Sequence, residues 1–399
     1  MMLSLRRYET LEQMTSLRPF WDDLLSSYPA STTFSTWEWL SSWWRCFGKD
    51  RKLLVLALFD STSLIGLAPL SIAEERHGGL SLRVIRLMGD GSGDSDNLDL
   101  PVRPGFEKAF AEAILKTLNE RGQLWNVCMF NTLPSESLVA RPLMQMLGCS
   151  KWTCFEYSSK CSAVPLPENW DTYVKILSSE DRKNLTRYTN RLQSRYSTHI
   201  YRCAEDDQVT VCLEALFRLH QGRWQRAGEP GSFSSEARRN FYQILSRELL
   251  ARRWLELWVL ELDREIAAVQ FAFRYQNKVF QLQEGYDHKR ASDRPGYVLR
   301  GEVLKRLISE NVRSYDFLGG EDAHKSRWGA EPGHYREIHF ARRIGVGAMS
   351  LQWVDKSLKS KEWLRRKLPS PAWRLLHNLN VATHGGPLQY VRDDSKDSD

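Results

Sequence analysis

The chain has 399 residues, of which 42% are hydrophobic and 26% charged, and its formal net charge is +7. This composition is typical of a packed globular protein, and about 150 residues per domain predicts two domains and a tail. No segment approaches the roughly 20 apolar residues that cross a bilayer, and no apolar signal core follows the N-terminus, so we expect a cytoplasmic protein.

The cysteines, the histidines and the charge balance narrow the chemistry further. The seven cysteines form no CxxC pair, and the nine histidines have no metal-ligand spacing. We therefore predict reduced thiols and no metal site. The moderate positive charge permits an anionic partner, but it does not indicate nucleic acid.

In chain order, the first half is predicted to contain a hairpin, a helix and a strand. Two apolar runs, residues 53–59 and 64–71, flank a polar turn at 60–63. An amphipathic helix then follows the Arg-Pro-Gly-Phe sequence at 103–106 and leads into an apolar strand at 125–130. This order is typical of an α/β unit in which a helix crosses between parallel strands.

The second half repeats this plan about 200 residues later. Apolar runs at 255–262 and 266–273 flank a polar turn, and Arg-Pro-Gly-Tyr at 294–297 comes before a helix and the strand at 315–318. The sequence therefore predicts a duplicated α/β unit. Coincidence is the alternative, because hairpins are common and only the Arg-Pro-Gly-aromatic match is specific.

The two copies differ in charge where the helix begins. Residues 89–97 of the first copy are glycine-rich and acidic, which predicts a poor phosphate cradle. The second copy has Lys289, Arg290 and Arg294, with Ser292 or Asp293 available to cap the helix and Pro295 suited to its first turn. This predicts a diphosphate site at the second helix N-terminus. A solvated basic loop is the alternative.

Several short segments follow one another in a specific order: Leu219-His220, Arg223-Trp224, Gly228, Gly231-Ser232-Phe233, Tyr286-Asp287, Pro295-Gly296, Tyr315 to Gly320, Lys325 and Trp328. In this order they resemble the GNAT-like acetyltransferases of the cellulose-biosynthesis (CelD) type. Residues 34–48 are similar to the opening helix of that family. The resemblance implies an α/β fold with two tandem GNAT-like domains, each a mixed twisted sheet flanked by helices, as in Fem-type transferases.

We place these domains at 1–165, which is not expected to bind the donor, and at 166–345, which is. A basic amphipathic tail with an acidic, disordered end would occupy 346–399. Its helix, predicted over 353–368, either lies on an anionic membrane surface at the inner face of the membrane or docks on protein. The helix that opens at Ser178 is either a solvated face or a lid whose arginines contact the acceptor or the 3′-phosphate of CoA.

The resemblance also implies the chemistry. An acyl-CoA, in the simplest case acetyl-CoA, would be the co-substrate, without a metal. An amine or hydroxyl of a sugar, polysaccharide precursor or small metabolite would attack it directly, in exopolysaccharide or cellulose biosynthesis. Pantetheine would add like a strand between Val279–Tyr286 and Tyr315–Leu318, with Gly285 as the candidate bulge. The sequence departs from the family here. GNAT proteins often have a glycine-rich phosphate loop, whereas residues 289–296 contain a single glycine, Gly296.

Site residues follow from these positions. The groups expected to bind the donor are Lys289, Arg290, Arg294, Gly296 and Tyr297. Those expected in catalysis are His220 as the preferred base, Glu284 and Asp287 as alternative bases, Tyr286 as the acid for the departing thiolate, and Asp316, which would orient the acceptor. Those expected to contact the acceptor are Arg223, Trp224, Asp287, Glu321 and Lys325.

Alternatives stay open at this stage. A residue that caps or packs its helix is an equal interpretation of His220. A strong base is needed only for a lysine-like amine, whose pKa is near 10.4. A Fem-like transferase that uses aminoacyl-tRNA and a non-catalytic adaptor of an exopolysaccharide complex are the competing functions.

Overall fold

The computed structural model describes residues 2–77, 79–149, 151–226, 231–320 and 323–367. The strands are β1 Leu3–Tyr8, β2 Arg51–Asp60, β3 Ser63–His77, β4 Leu80–Leu87, β5 Val127–Leu133, β6 Trp152–Pro165, β7 Thr198–Arg202, β8 Leu255–Leu262, β9 Glu265–Tyr275, β10 Lys278–Tyr286, β11 Ser314–Gly319 and β12 Glu331–Arg342. The helices are α1 Leu11–Thr15, α2 Arg18–Ser26, α3 Trp37–Phe47, α4 Glu107–Glu120, α5 Ala140–Leu147, α6 Trp170–Ile176, α7 Ser179–Arg195, α8 Asp206–Arg226, α9 Glu236–Ala251, α10 Pro295–Ser309, α11 Ala323–Ser326 and α12 Val346–Lys367.

These strands form one mixed sheet in the order β1-β2-β3-β4-β5-β12-β6-β11-β10-β9-β8-β7. The run β2-β3-β4-β5 and the run β8-β9-β10-β11 have the same plan, with two antiparallel contacts followed by a parallel one. The crossover helix of the parallel pair is α4 in the first run and α10 in the second. The predicted duplication and the mixed α/β fold are confirmed.

The two repeats share their central strands. β12 lies between β5 and β6 and pairs with β6 along its whole length, from Glu331 opposite Ala163 to Arg342 opposite Trp152. β6 in turn pairs with β11 of the second repeat. The sheet is therefore continuous across the middle of the molecule.

The core also crosses between the halves. Phe34 and Trp39 from the first half meet Phe241 and Phe273 from the second, with ring centroids 5.2 to 5.4 Å apart. Such aromatic pairs contribute about 0.5–1.5 kcal/mol each beyond their buried area. The contact between Trp39 and Phe241 packs α3 against α9.

The Arg-Pro-Gly-aromatic match is not structurally equivalent in the two copies. In the first copy the helix begins at Glu107, after the motif, whereas in the second it begins at Pro295, inside the motif. When the helix interiors are aligned, Gly105 and Arg294 occupy the same position, and both have a left-handed backbone, with φ of 94° and 56°. The repeat is real, but this motif is two residues out of register.

α12 begins at Val346, seven residues earlier than the predicted tail helix. It packs on β12 and β6 through Ala348, Leu351 and Asp355, which are buried. Residues 368–399, which include the predicted acidic end, lie outside the described residues. Among the residues that the structure describes, no helix combines the length and apolar character needed to span a bilayer.

Candidate active site

A wedge opens between β10 and β11. Their parallel ladder has three pairs and ends at Phe280 opposite Asp316, although both strands, each wholly described, continue beyond this point. β11 bends there, because its register on β6 shifts between Asp316 and Gly319 and Leu318 has a φ of 63°. The wedge lies where the family resemblance implied that a pantetheine chain would insert.

The bulge beside this wedge is not at Gly285. The register of β10 on β9 shifts between Gln281 and Gln283, so Leu282 is the extra residue, and Gly285 pairs regularly with Val269. A glycine is required at 285 because α8 crosses there: a Cβ atom would lie 2.9 Å from the backbone nitrogen of His220. The predicted bulge at Gly285 is therefore wrong, and a helix contact explains the residue.

The N-terminus of α10 lies where β10 ends. Pro295 is its first residue, as predicted, and Arg294 precedes it without a side-chain cap in the described part of the chain. The predicted cap by Ser292 or Asp293 is wrong. Asp293 is 3% exposed and accepts hydrogen bonds from Arg195 and Tyr196 at 2.8 and 3.0 Å. The N–H groups of the first turn, including those of Gly296 and Tyr297, are thus available to an anion.

The predicted cations near this helix end are not equivalent. Arg290 forms ion pairs with Glu265 at 2.6 Å and Asp287 at 3.2 Å. Asp287 also accepts the backbone N–H of Lys289 at 3.0 Å, which caps a short 3₁₀ segment. Lys289 and Arg294 are exposed. The carboxylate of Asp287 is therefore bonded to Lys289 and Arg290 of the same loop.

A cavity of about 490 Å³ lies beside the first turn of α10. Its polar walls come from α7, the residue before α10 and the end of α11: Asp181, Lys183, Asn184, Arg187, Arg294 and Arg327. The ring of Tyr297, in the first turn of α10, packs against that of Trp328 with centroids 4.6 Å apart, and burial raises the pKa of Tyr297 to about 12. Cations thus surround the start of the helix on the side of α7.

His220 and Trp224 form a pair on α8. The indole N–H of Trp224 donates to Nε2 of His220 at 3.1 Å, and the imidazole, 7% exposed, packs on the ring of Phe233 at 4.9 Å. In the neutral ring the hydrogen is therefore on Nδ1. The side chain of Arg223 and the residues Gly228 and Glu321 lie outside the described part of the chain.

Glu284 and Tyr286 point to the α10 side of the sheet. Glu284 forms an ion pair with Arg300, a residue that is 2% exposed and whose guanidinium lies 5.2 Å from the ring of Phe317. The ring of Tyr286 lies 4.8 Å from that of His288, at the end of β10. Glu284 thus balances a buried charge, and Tyr286 lies near the helix start.

The opposite end of the wedge holds a carboxylate with a shifted pKa. Burial raises the pKa of Asp316 to about 7; the N–H of Leu318 opposes this shift, and the nearby charge of Asp96 adds to it. Lys325 donates to the carbonyl oxygens of Gly319 and Gly320 at 2.6 and 3.0 Å. These groups surround the point where β10 and β11 part.

Three residues at this end were missed by sequence reasoning. Asp96 accepts the backbone N–H of Gly319 at 2.9 Å, and the side-chain amide of Asn97 donates to the hydroxyl of Tyr335 at 2.9 Å. The acidic loop of residues 89–97 therefore serves to join the halves. Asp96 and Asn97 carried no signal for this role, because their partners lie 223 and 238 residues away in sequence.

The predicted catalytic residues do not converge on one point. His220 contacts β10 at Gly285, whereas Asp316 is opposite Phe280, and five residues of extended strand span about 16 Å. The structure groups His220 with Trp224, Glu284 with Arg300, Asp316 with Lys325, and Lys289, Arg294, Gly296 and Tyr297 around the start of α10.

Residues 179–326 match the family of the acetyltransferase (GNAT) domain. The chain therefore carries a GNAT acetyltransferase domain and is an acyltransferase, and GNAT domains use an acyl-CoA as co-substrate. No curated protein sequence matches the chain.

Solved structures share the architecture. FemX aligns with a TM-score of 0.58 and 11% identity, over 84% of this chain and 96% of that one. A conserved protein of unknown function from Bacteroides thetaiotaomicron aligns with a TM-score of 0.53 and 12% identity, over 85% and 100%. At these identities the likeness concerns the fold alone. Together with the matched domain and the repeated strand order, it makes the chain a tandem of two GNAT-like units.

Proposed function

We propose that the chain transfers an acyl group, acetyl in the simplest case, from acyl-CoA to an amine by direct attack in the wedge between β10 and β11. The observation that carries this proposal is the wedge itself. One end opens on the uncapped, cation-lined start of α10, and the other opens on Asp316. A donor with phosphates at one end and a thioester at the other fits this polarity.

The donor would lie along the exposed edge of β10. Its diphosphate would take the N–H groups of Gly296 and Tyr297, with Lys289 and Arg294 nearby. Its pantetheine would run past Tyr286, and its thioester would reach the bulge at Leu282, where a residue outside the ladder can offer its backbone N–H to the developing oxyanion.

Asp316 is the base that we propose for the acceptor. A carboxylate with a pKa of about 7 can take a proton at neutral pH, whereas Nε2 of His220 already accepts the N–H of Trp224. The nitrogen of the amine would form a bond to the thioester carbon, its proton would pass to Asp316, and the C–S bond would break. His220 would then position α8 on β10.

Tyr335 is the acid that we propose for the departing thiolate. Burial raises the pKa of its phenol, and the charges of Asp96 and Asp316 raise it further, so the hydroxyl keeps its proton at neutral pH. Tyr286 lies four residues beyond Leu282, which is about 13 Å of extended strand, and it would line the pantetheine path instead.

The acceptor end favours an amine over a hydroxyl. Asp96 and Asp316 attract a cationic group, and a base of pKa about 7 is matched to an α-amine near pKa 8, whose deprotonation costs only about 1 kcal/mol. The resemblance to the cellulose-biosynthesis type supports an amino sugar or polysaccharide precursor as the carrier of this amine, and an exopolysaccharide pathway as its setting.

Fem-like transfer from aminoacyl-tRNA is the second candidate. It is favoured by the fold of FemX, which this chain matches over 96% of that protein, and by the cations of α7. Donor binding separates the two candidates. Calorimetry should detect binding of acetyl-CoA to the chain. If charged tRNA binds and acetyl-CoA does not, Fem-like transfer becomes the leading candidate.

Turnover tests the catalytic assignment. With acetyl-CoA and a panel of amino sugars and small amines, we expect thiol release that Asp316→Asn removes and that His220→Gln keeps within about tenfold. Loss of turnover in a folded His220→Gln variant would return the base role to His220. CoA binding without turnover across the panel would instead favour a non-catalytic adaptor.

Peripheral contact with an anionic membrane is a further part of the proposal. Large apolar side chains are exposed along the outer side of α12 and the turn before it: Ile344, Val346, Met349, Trp353 and Trp363. Lys356 and Lys359 are exposed on the same helix. An apolar stripe bordered by cations suits the interface of an anionic bilayer.

A further inference from the structure

α7 lies outside the two strand–helix repeats, yet it is fixed against the start of α10. A Cβ atom at Gly301 would lie 2.5 Å from Cδ1 of Leu185, so the glycine lets the two helices approach closely. The ring of Tyr188 packs edge-on against Tyr297 at 5.7 Å, and the hydroxyl of Tyr297 donates to the carbonyl of Asp181 at 3.3 Å. The side chains of α7 are thus held beside the first turn of α10.

The cations of α7 divide into two sets. Arg191 and Arg195 both form ion pairs with Asp293, at 3.0 and 2.8 Å, which offsets part of their charge. Lys183 has no ion pair within the described ranges, and Arg187 donates to two neutral partners, the amide of Asn184 and the hydroxyl of Tyr188, both at 2.8 Å. The second set faces the cavity.

Two more cations complete the wall of that cavity. Arg294 and Arg327 line it from the side of α10 and α11, and neither has an ion pair in the part of the chain that the structure describes. Four cations therefore face about 490 Å³, against the two carboxylates of Glu180 and Asp181. A cavity of this size is within the range of small-molecule sites, and its charge selects an anion.

We propose that this cavity binds the 3′-phosphorylated nucleotide end of CoA, with Lys183 and Arg187 on the 3′-phosphate. This inference rests on the proposed function, in which the diphosphate occupies the N-terminus of α10. The nucleotide that follows the diphosphate then enters the cavity, which opens directly beside that helix end. Guanidinium and ammonium donors form charge-assisted hydrogen bonds with phosphate oxygens.

This subsite would decide which donors are used. A pantetheine thioester carried on a protein has no 3′-phosphate, so it would lose the contacts with Lys183 and Arg187. The enzyme would therefore discriminate between an acyl group on free CoA and the same group on a carrier protein, through residues that do not touch the reacting atoms.

The test compares CoA with 3′-dephospho-CoA by calorimetry on the full chain. We expect the wild type to bind CoA at least about tenfold more tightly than 3′-dephospho-CoA. This difference in affinity should become smaller at high salt. Lys183→Gln and Arg187→Gln should each weaken the binding of CoA by about tenfold and leave the affinity for 3′-dephospho-CoA unchanged. Both side chains are exposed, so the melting temperatures should stay at the wild-type value.

Arg182→Gln is the matched control. Arg182 lies on the same helix, but its guanidinium donates to the carbonyl of Lys175, away from the cavity, so both affinities should be unchanged. Equal binding of CoA and 3′-dephospho-CoA to the wild type would overturn this inference and leave the proposed function standing. So would Lys183 and Arg187 variants that raise the KM of the acceptor but not of the donor. A wild type that binds neither nucleotide would overturn the proposed function as well.

Discussion

The backbone N–H of Gly319 donates to the carboxylate of Asp96 at 2.9 Å, across 223 positions of sequence. This bond ties the loop before α4 to the end of β11, so the first repeat contributes to the Asp316 end of the wedge in the second. The bond also brings the carboxylate of Asp96 towards that of Asp316. Because two nearby negative charges repel each other, the charge of Asp96 raises the pKa of Asp316. The first GNAT-like unit thus acts on the electrostatics of the second.

Replacing Asp316 tests the base directly. Because its pKa is about 7, the pH profile of kcat/KM for an amine should have a limb that rises through about 7. Asp316→Asn should lower kcat/KM by roughly 10²–10⁴-fold and remove that limb of the profile. A variant with normal turnover and an unchanged profile would exclude Asp316 as the base.

The same substitution has an expected effect on stability. The pKa of Asp316 is higher in the folded chain than the roughly 3.9 of an unfolded aspartate, so its ionisation disfavours the folded state increasingly as pH rises from about 4 to about 7. Asp316→Asn should therefore melt no lower than the wild type at pH 8. Thermal scans at pH 5 and pH 8 measure this difference.

Asp96→Asn should shift the pH profile without removing it. The amide can still accept the N–H of Gly319, but the negative charge that raises the pKa of Asp316 is gone. The midpoint of the kcat/KM profile should move to lower pH. A midpoint at the wild-type value would mean that the charge of Asp96 does not reach Asp316.

Gly285→Ala should destabilise the chain. The added methyl group would lie 2.9 Å from a backbone nitrogen and 3.2 Å from the carbonyl oxygen of Leu216, and neither atom can move without its helix. We expect a loss of about 1–3 kcal/mol in the free energy of unfolding. Denaturant titration of Gly222→Ala is the control, because a Cβ atom there would lie 3.8 Å from its nearest neighbour, His288, and the mid-helix change should be neutral or stabilising.

Glu284→Gln separates a structural carboxylate from a catalytic one. It leaves the buried guanidinium of Arg300 without its carboxylate partner, which should lower stability by about 3 kcal/mol. Activity per folded molecule should stay within a few-fold of the wild type, with the pH midpoint unmoved. A stable but inactive variant would restore Glu284 as a candidate base.

Several elements were predictable from local sequence. The hairpins, the crossover helices and the start of α10 at Pro295 follow from apolar runs, turn residues and the fixed φ of proline. The position of the wedge followed from the family resemblance. These features depend on neighbours within a few residues, or on a pattern shared across a family.

Other features depend on distant partners. Asp293 has the right position for a helix cap, but Arg195 and Tyr196 bind it from 98 and 97 residues away. Gly285 was read as a bulge, although the demand for a glycine comes from α8. Asp96 was counted as a charge that repels phosphate, whereas it accepts an N–H from the other repeat. A local sequence pattern cannot predict a role that depends on a contact with a residue far away in the sequence.

Vesicle binding tests the outer side of α12. The full chain should sediment with phosphatidylglycerol vesicles and not with pure phosphatidylcholine, and the double change Met349→Glu with Trp353→Glu should release it. Val211→Glu is the control, because Val211 is as exposed as these residues but lies on α8. Equal sedimentation of the double variant would assign α12 to protein docking.

The insertion of β12 between β5 and β6 has a consequence for biosynthesis. Until residue 342 has left the ribosome, two strand edges in the middle of the sheet stay open, and each can pair with another nascent chain. A truncation that removes β12 should therefore yield aggregates, and neither half should be obtainable as a soluble fragment.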